Sequence, residues 1–455
     1  MRTPTSQHAG PQLEIRLLGR FVVRRSGQEV APAAFGGRLV QTLVRLLASR
    51  RGSFVSKDVL AEALWSEHPP ADPAANIEVL VSRARRALGD PSLIVTVPGG
   101  YSFAGQDRCV LDAEAFVEAV QAGLAEAGAG RPAAALHITN GDIAVGLLRR
   151  AGLAEHALAW ADVLHEGPVP AGLDEARLRR VRAEFIAGAD GVDAVAVRRR
   201  FEARDRTLAA NRGGEYVLWF EADLYDQLQI AQILAVLGKL GVAPGRVTLI
   251  CIGEYPGIAH FGGLGELEPG QLPGLLDVAT PLTAEALDLG AAAWAALRAA
   301  DPGGLGEIAA SRSPELRFLG EAFDRLSREY PSTRDGLSLT ERRILAAVAD
   351  GATTAAAAHA RVGAREARPY LADLFCFRIV ARLVGAAAPL LAAEPAGEVT
   401  AGTRLRPTAS GRRVLAGEAD HVALNGVDRW IGGVHLAGPD SPWRWDEGTE
   451  GIVSV

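Results

Sequence analysis

Two sets of side chains in this 455-residue chain have the types and spacing to do chemistry. The first is Asn76, Val79, Ser82, Arg83 and Arg86, which repeat at helical spacing between Asp72 and Gly89. Guanidinium, amide and hydroxyl groups on one helix suit phosphate oxygens and base edges. The second set is three short groups: Asn140 with Asp142, Asp162 with His165 and Glu166, and Glu221 with Asp223 and Asp226. Carboxylates, an amide and an imidazole can bind a polar small molecule, hold a divalent metal or move a proton. Each set has a plain alternative. The arginines would be a solvated face, Asp142 a helix cap, His165-Glu166-Gly167-Pro168 a rigid turn, and the acidic group a solvated loop.

The elements that must position the first set lie in residues 12–105. Leu13–Val30 alternates apolar and polar residues around Ser26-Gly27, which predicts a short antiparallel hairpin or meander. A helix is expected from about Gly37 to Ala48, with Leu39, Leu43, Leu46 and Leu47 on its apolar face. Ser56 is a suitable N-cap for a helix Lys57–Trp65, which Pro69 and Pro70 stop. Asp72 caps a third helix with Pro73 in its first position. Ile77, Leu80, Val81, Ala84 and Leu88 form its core side, and the first set of chemical side chains lies opposite or flanks it. Gly89 ends the helix, and Ile94–Val97 with Tyr101–Phe103 read as a two-stranded wing.

Charge supports a dedicated anionic partner for this segment. Residues 1–105 carry 13 Lys and Arg against 8 Asp and Glu, a net of +5, whereas the remainder carries 35 against 46, a net of −11. The pattern VSKDVLAEALW, VLVSRARRALGD and IVTVPGGYSF resembles the OmpR/PhoB-type winged helix, above all the form found in SARP-type (Streptomyces antibiotic regulatory protein) activators. The resemblance implies a third helix in the major groove of double-stranded DNA, facing it with Asn76, Val79, Ser82, Arg83 and Arg86. It also implies phosphate contacts from Lys57 and Arg38 and a wing beside the minor groove with Tyr101 at its corner. Many members place Arg just before that corner; here the position is Pro98. Residues 1–11 do not read as a receiver, so no control by receiver phosphorylation is expected, and 106–135 reads as a helical linker resembling only the opening helix of the usual activator domain. RNA polymerase and a second copy of the chain are further partners the resemblance implies.

From Leu136 the pattern changes to strands alternating with helices, which predicts a mostly parallel α/β sheet over 136–330. Each group of the second set follows a predicted strand: LHIT, His156–Trp160 and Tyr216–Phe220. Carboxyl ends of parallel strands border the ligand crevice, so the three groups are expected to converge there. HITNGD, WADVLHEGPVP, LWFEADLYDQLQ and EYPSTRDGLSLTERRIL resemble the bacterial family called domain of unknown function 1835, over about 136–350. That resemblance implies a domain and no activity. Residues 331–455 predict helices and a ribbon in a winged-helix-like order, read as a packing element, followed by a tail bearing Trp430, Trp443 and Trp445.

The chain lacks GxSxG, P-loop and HExxH motifs, and its cysteines, Cys109, Cys251 and Cys376, form no CxxC pair. The longest apolar runs are too short to span a bilayer and the N-terminus is unlike a signal peptide, so a cytoplasmic protein is expected. The sequence therefore reads as a multidomain α/β and α+β protein: a DNA-binding transcriptional regulator whose α/β domain senses a small ligand or partner. No cofactor is assigned beyond a candidate divalent metal in the α/β domain. The alternative is an enzyme acting on a nucleotide-like or phosphorylated small molecule through that domain.

Overall fold

The computed structural model describes residues 13–17, 21–52, 54–65, 70, 72–97, 99–104, 109–112, 135–258 and 261–455. The chain divides into two compact units, Met1–Arg131 with Ala183–Ala203, and Pro132–Arg182 with Arg204–Val455.

The first unit opens with β1 (Leu13–Arg16), β2 (Val22–Arg25) and β3 (Gln28–Glu29). Ser26 and Gly27 both have positive φ, the two-residue turn that matches strand twist. Helices α1 (Arg38–Ser49), α2 (Lys57–Trp65) and α3 (Pro73–Leu88) follow, with β4 (Phe54–Ser56) between the first two. α1 is rotated by about one residue from the expected face: Val40, Leu43, Val44 and Leu47 enter the core, while Leu39 is 39 % exposed. α3 starts as its sequence dictates. Asp72 accepts from the Ala75 amide at 2.9 Å, and Gly89 closes the far end in the left-handed region.

The wing has three strands rather than two, in the order β4, β6 (Gly100–Phe103), β5 (Ile94–Val97). A Cβ at Gly100 would collide with the Val55 carbonyl, so the approach of β4 requires glycine there. Cys109–Leu111, inside the stretch read as a helical linker, is instead a strand, β7, pairing parallel with β1. Its alternating burial and the fit of Cys109 and Leu111 into the core override the local pattern. The rest of the stretch read as a helical linker, 106–135, falls almost entirely outside the described residues, as do Pro69 and Pro98.

The second unit is built on β8 (Leu136–Thr139), β9 (Ala157–Ala159), β10 (Tyr216–Glu221), β11 (Val247–Ile252) and β12 (Thr280–Pro281), in the order β12-β11-β10-β8-β9. All neighbours are parallel except β11 and β12. Strand order therefore reverses between β8 and β10. One face of the sheet packs Trp219, Ile250 and Ile252 against Leu147 and Leu148 of the helix Asp142–Arg150. The other packs Ile138, Leu218 and Phe220 against the helices Leu224–Lys239 and Ala284–Arg298.

Helices Leu339–Ala349, Ala355–Gly363 and Asp373–Gly385, the ribbon β13 (Leu391–Glu394) and β14 (Arg404–Pro407), and a helix Ala409–Leu415 enclose a core of their own within this same unit. Ser338 caps the first of these helices, through a capping box with Glu341. Two closing hairpins, β15 (Val427–Ile431) with β16 (Val434–Gly438) and β17 (Trp443–Asp446) with β18 (Gly451–Ser454), send Ile431, Leu436 and Trp445 into the α/β core.

Candidate nucleic-acid interface and ligand site

α3 buries Ile77, Leu80, Val81, Ala84 and Leu88 and leaves Asn76, Val79, Ser82, Arg83 and Arg86 exposed. Val79, at 50 % exposed, is a large apolar side chain standing in water on that face. Arg38 is exposed at the first position of α1. Lys57 is already engaged: its Nζ lies 2.8 Å from Glu78 Oε1, and this pair raises the lysine pKa. Glu78 sits on the outward face of α3, where its helical spacing places it, but spacing does not show the pairing, because its partner is on another helix. Together with Arg85, Thr96 and Gly99 the pair borders a groove between α3 and the wing. Arg85 turns to the wing, donating to the Ile94 carbonyl and Thr96 Oγ1. Tyr101 requires correction as a DNA-facing side chain. It is 3 % exposed, because β6 is the central strand of the wing sheet and directs it into the core.

In the second unit the expected convergence is only half realised. Asn140, Glu221, Asp223 and Asp226 come together where strand order reverses between β8 and β10. Asn140 Nδ2 donates to Asp226 Oδ2 at 3.2 Å, the same oxygen accepts from the Glu221 amide at 2.6 Å, and Asp223 Oδ1 caps the following helix through the Asp226 amide. The second loop to arrive, after Gly263, places the Leu264 amide 2.6 Å from Glu221 Oε1. Burial raises Glu221 to about 6. Burial and then the Glu221 charge raise Asp223 to about 7. The same causes, with Asp223 added, push Asp226 well above the usual carboxylate range.

Asp162, His165 and Glu166 face another way. Asp162 is paired with the fully buried Arg182 at 2.8 Å, and the same guanidinium takes the carbonyls of Val163 and Glu166. The loop is thus wound around one cation, the rigid-turn alternative in physical form. Glu166 lies 3.3 Å from Arg429, which also pairs with Glu329 at 2.8 Å; Glu329 pairs in turn with Arg325, and Arg325 with Glu366. Burial alone would raise Glu329, but Arg429 and Arg325 outweigh it and hold that carboxylate far below its usual range. His165 packs edge-on against Tyr225, Tyr370 and Phe375, its two ring nitrogens unbonded, and burial lowers it to about 3. Asp142 is not a cap: the N-cap is Gly141, and Asp142, exposed, is the first helical residue. Among the described residues, no group of three or more His, Cys, Asp and Glu side chains is arranged to hold a metal ion. Nor is any helix among them long and apolar enough to cross a membrane.

Residues 38–103 match the family profile described as "Transcriptional regulatory protein, C terminal". The N-terminal domain is thus a winged helix of the OmpR/PhoB regulator type. The chain is 30 % identical to the regulatory protein AfsR of Streptomyces coelicolor over 109 residues, 24 % of this chain and 11 % of AfsR. It is 38 % identical to the transcriptional regulatory protein CutR of the same organism over 102 residues, 22 % of this chain and 42 % of CutR. It is 29 % identical to MoaR1 of Mycobacterium tuberculosis over 89 residues, 18 % of this chain and 29 % of that protein. The chain therefore spans less than half the length of these curated relatives. A solved structure of Mycobacterium tuberculosis EmbR in complex with a low-affinity phosphopeptide aligns over 50 % of this chain and 56 % of that one, at 20 % identity and a TM-score of 0.24.

Proposed function

We propose that this chain is a sequence-specific DNA-binding transcriptional regulator whose second unit senses a small ligand. The observation that carries the reading is the outward face of α3, where Arg83 and Arg86 flank Asn76, Val79 and Ser82 on a domain of net positive charge. Guanidinium groups on such a face take phosphates and guanine edges, and Asn and Val are suited to adenine and to the thymine methyl. The regulators AfsR, CutR and MoaR1 share this domain with the chain and lend the reading its context. Recruitment of RNA polymerase and pairing of two copies on repeated half-sites belong to the same reading.

A gel-shift experiment at moderate salt, with promoter DNA from the chain's own locus, tests it. The full chain retains the DNA and the double variant Arg83→Ala/Arg86→Ala does not, since phosphate contacts dominate affinity. Equal retention by both proteins would sink the assignment.

A further inference from the structure

Buried carboxylates in the second unit are matched with arginines almost everywhere. Asp162 has Arg182, Glu329 has Arg325 and Arg429, Glu366 has Arg325, and Asp335 has Arg342. Glu221, Asp223 and Asp226 are as deeply placed, at 8 %, 9 % and 0 % exposed, yet among the described residues none of them ion-pairs with a basic side chain. A polar side chain independent of the three points the same way. Thr139 Oγ1 is fully buried and has no hydrogen-bond partner. Thr139 pairs with Trp219 in register, and Glu221 is two positions beyond Trp219, so the hydroxyl and Glu221 project from the same sheet face on adjacent strands. Asp226 Oδ1 is likewise buried without a partner.

We propose that Glu221, Asp223, Asp226 and Thr139 form a binding site for the ammonium head of a small organic amine, the cation that the fold itself does not provide. The inference deepens the ligand-sensing half of the function proposed above and rests on it. Burying like charges together without a counter-ion is unfavourable, and a bound ammonium would relieve that while donating three hydrogen bonds.

Isothermal titration of the full chain with ethanolamine, putrescine and spermidine, and separately with magnesium and calcium chloride, tests the site. At least one amine is expected to bind saturably, releasing protons. Glu221→Gln and Asp226→Asn are each expected to weaken it at least about tenfold. Should either variant fold poorly, Thr139→Val carries the same test, because it keeps the side-chain shape and removes only the hydroxyl. No saturation by any amine in the millimolar range, equal binding by the variants, or binding of the metals alone would overturn the proposal. An amine that binds without changing DNA retention leaves the site standing and removes its sensing role. Absence of amine binding removes the site and leaves the DNA assignment untouched.

Discussion

Arg85 and Thr96 are joined across the winged helix: Arg85 Nη2 lies 2.8 Å from Thr96 Oγ1 and 2.6 Å from the Ile94 carbonyl. The last turns of α3 are thereby fixed to β5 of the wing. Arg85 and Arg86 are adjacent in sequence but point to different tasks. Arg85→Ala is expected to destabilise the domain by about 2 kcal/mol in urea unfolding, as for other hydrogen bonds from charged groups. Arg83→Ala and Arg86→Ala should leave the midpoint within about 0.5 kcal/mol of the parent.

The Lys57–Glu78 pair makes an opposite prediction for its two members. Lys57→Ala should weaken DNA binding on every sequence and reduce the slope of log affinity against log salt by about 1. Glu78→Gln removes a negative charge from the same face and frees the lysine, so non-specific binding should tighten. Binding isotherms at several salt concentrations read both effects.

The raised carboxyls of the second unit set a pH dependence. The native state holds protons on Glu221 and Asp223 that the unfolded chain releases near pH 4. Their contribution to stability is therefore complete below about pH 4 and is lost as pH rises through about 6 to 7. The double variant Glu221→Gln/Asp223→Asn should flatten the fall in melting temperature across that window. A parallel fall in the variant would contradict the assignment.

His165 acts in the other direction. Its native pKa of about 3 lies below the unfolded value near 6.5, so its contribution is present above about pH 6.5 and lost as pH falls toward 3. Charges around it come from Glu329, Arg182, Arg429 and Arg325, and burial is the largest effect. His165→Phe should remove this acid sensitivity at little cost in stability at neutral pH, since neither ring nitrogen has a protein partner. Acid titration followed by tryptophan fluorescence distinguishes the two proteins.

The Arg325–Glu329–Arg429 chain is buried and cannot lose a member cheaply. Glu329→Gln leaves two guanidinium groups short of a counter-charge and should cost about 3–5 kcal/mol. Chemical denaturation of the full chain measures it.

Much of this was legible in sequence where the cause is local. Asp72, Pro73 and Gly89 delimit α3 by capping and backbone preference, and apolar spacing identifies its inner face. The parallel sheet was legible from strand and helix periods, and Asn140 and Glu221 from their places after strands. The pairing of Asp162 with Arg182 was not, because it depends on where a helix 20 positions later docks. Tyr101 illustrates the same limit. Tyr101 and Phe103 alternate with Ser102 in β6, but all four residues of the strand are buried, because it lies between β5 and β4, a three-residue strand with little pattern of its own.

The order β9-β8-β10-β11 also bears on how the second unit is made. Asn140 and Asp226 touch although they are 86 positions apart, so their meeting must await closure of a long loop and the parallel pairing of β8 with β10. The first unit closes a loop of similar length, since Leu13 of β1 pairs with Cys109 of β7. Both strands of that pairing leave the ribosome before Asp226 does, so a nascent chain would hold β1 against β7 before the carboxylate cluster exists.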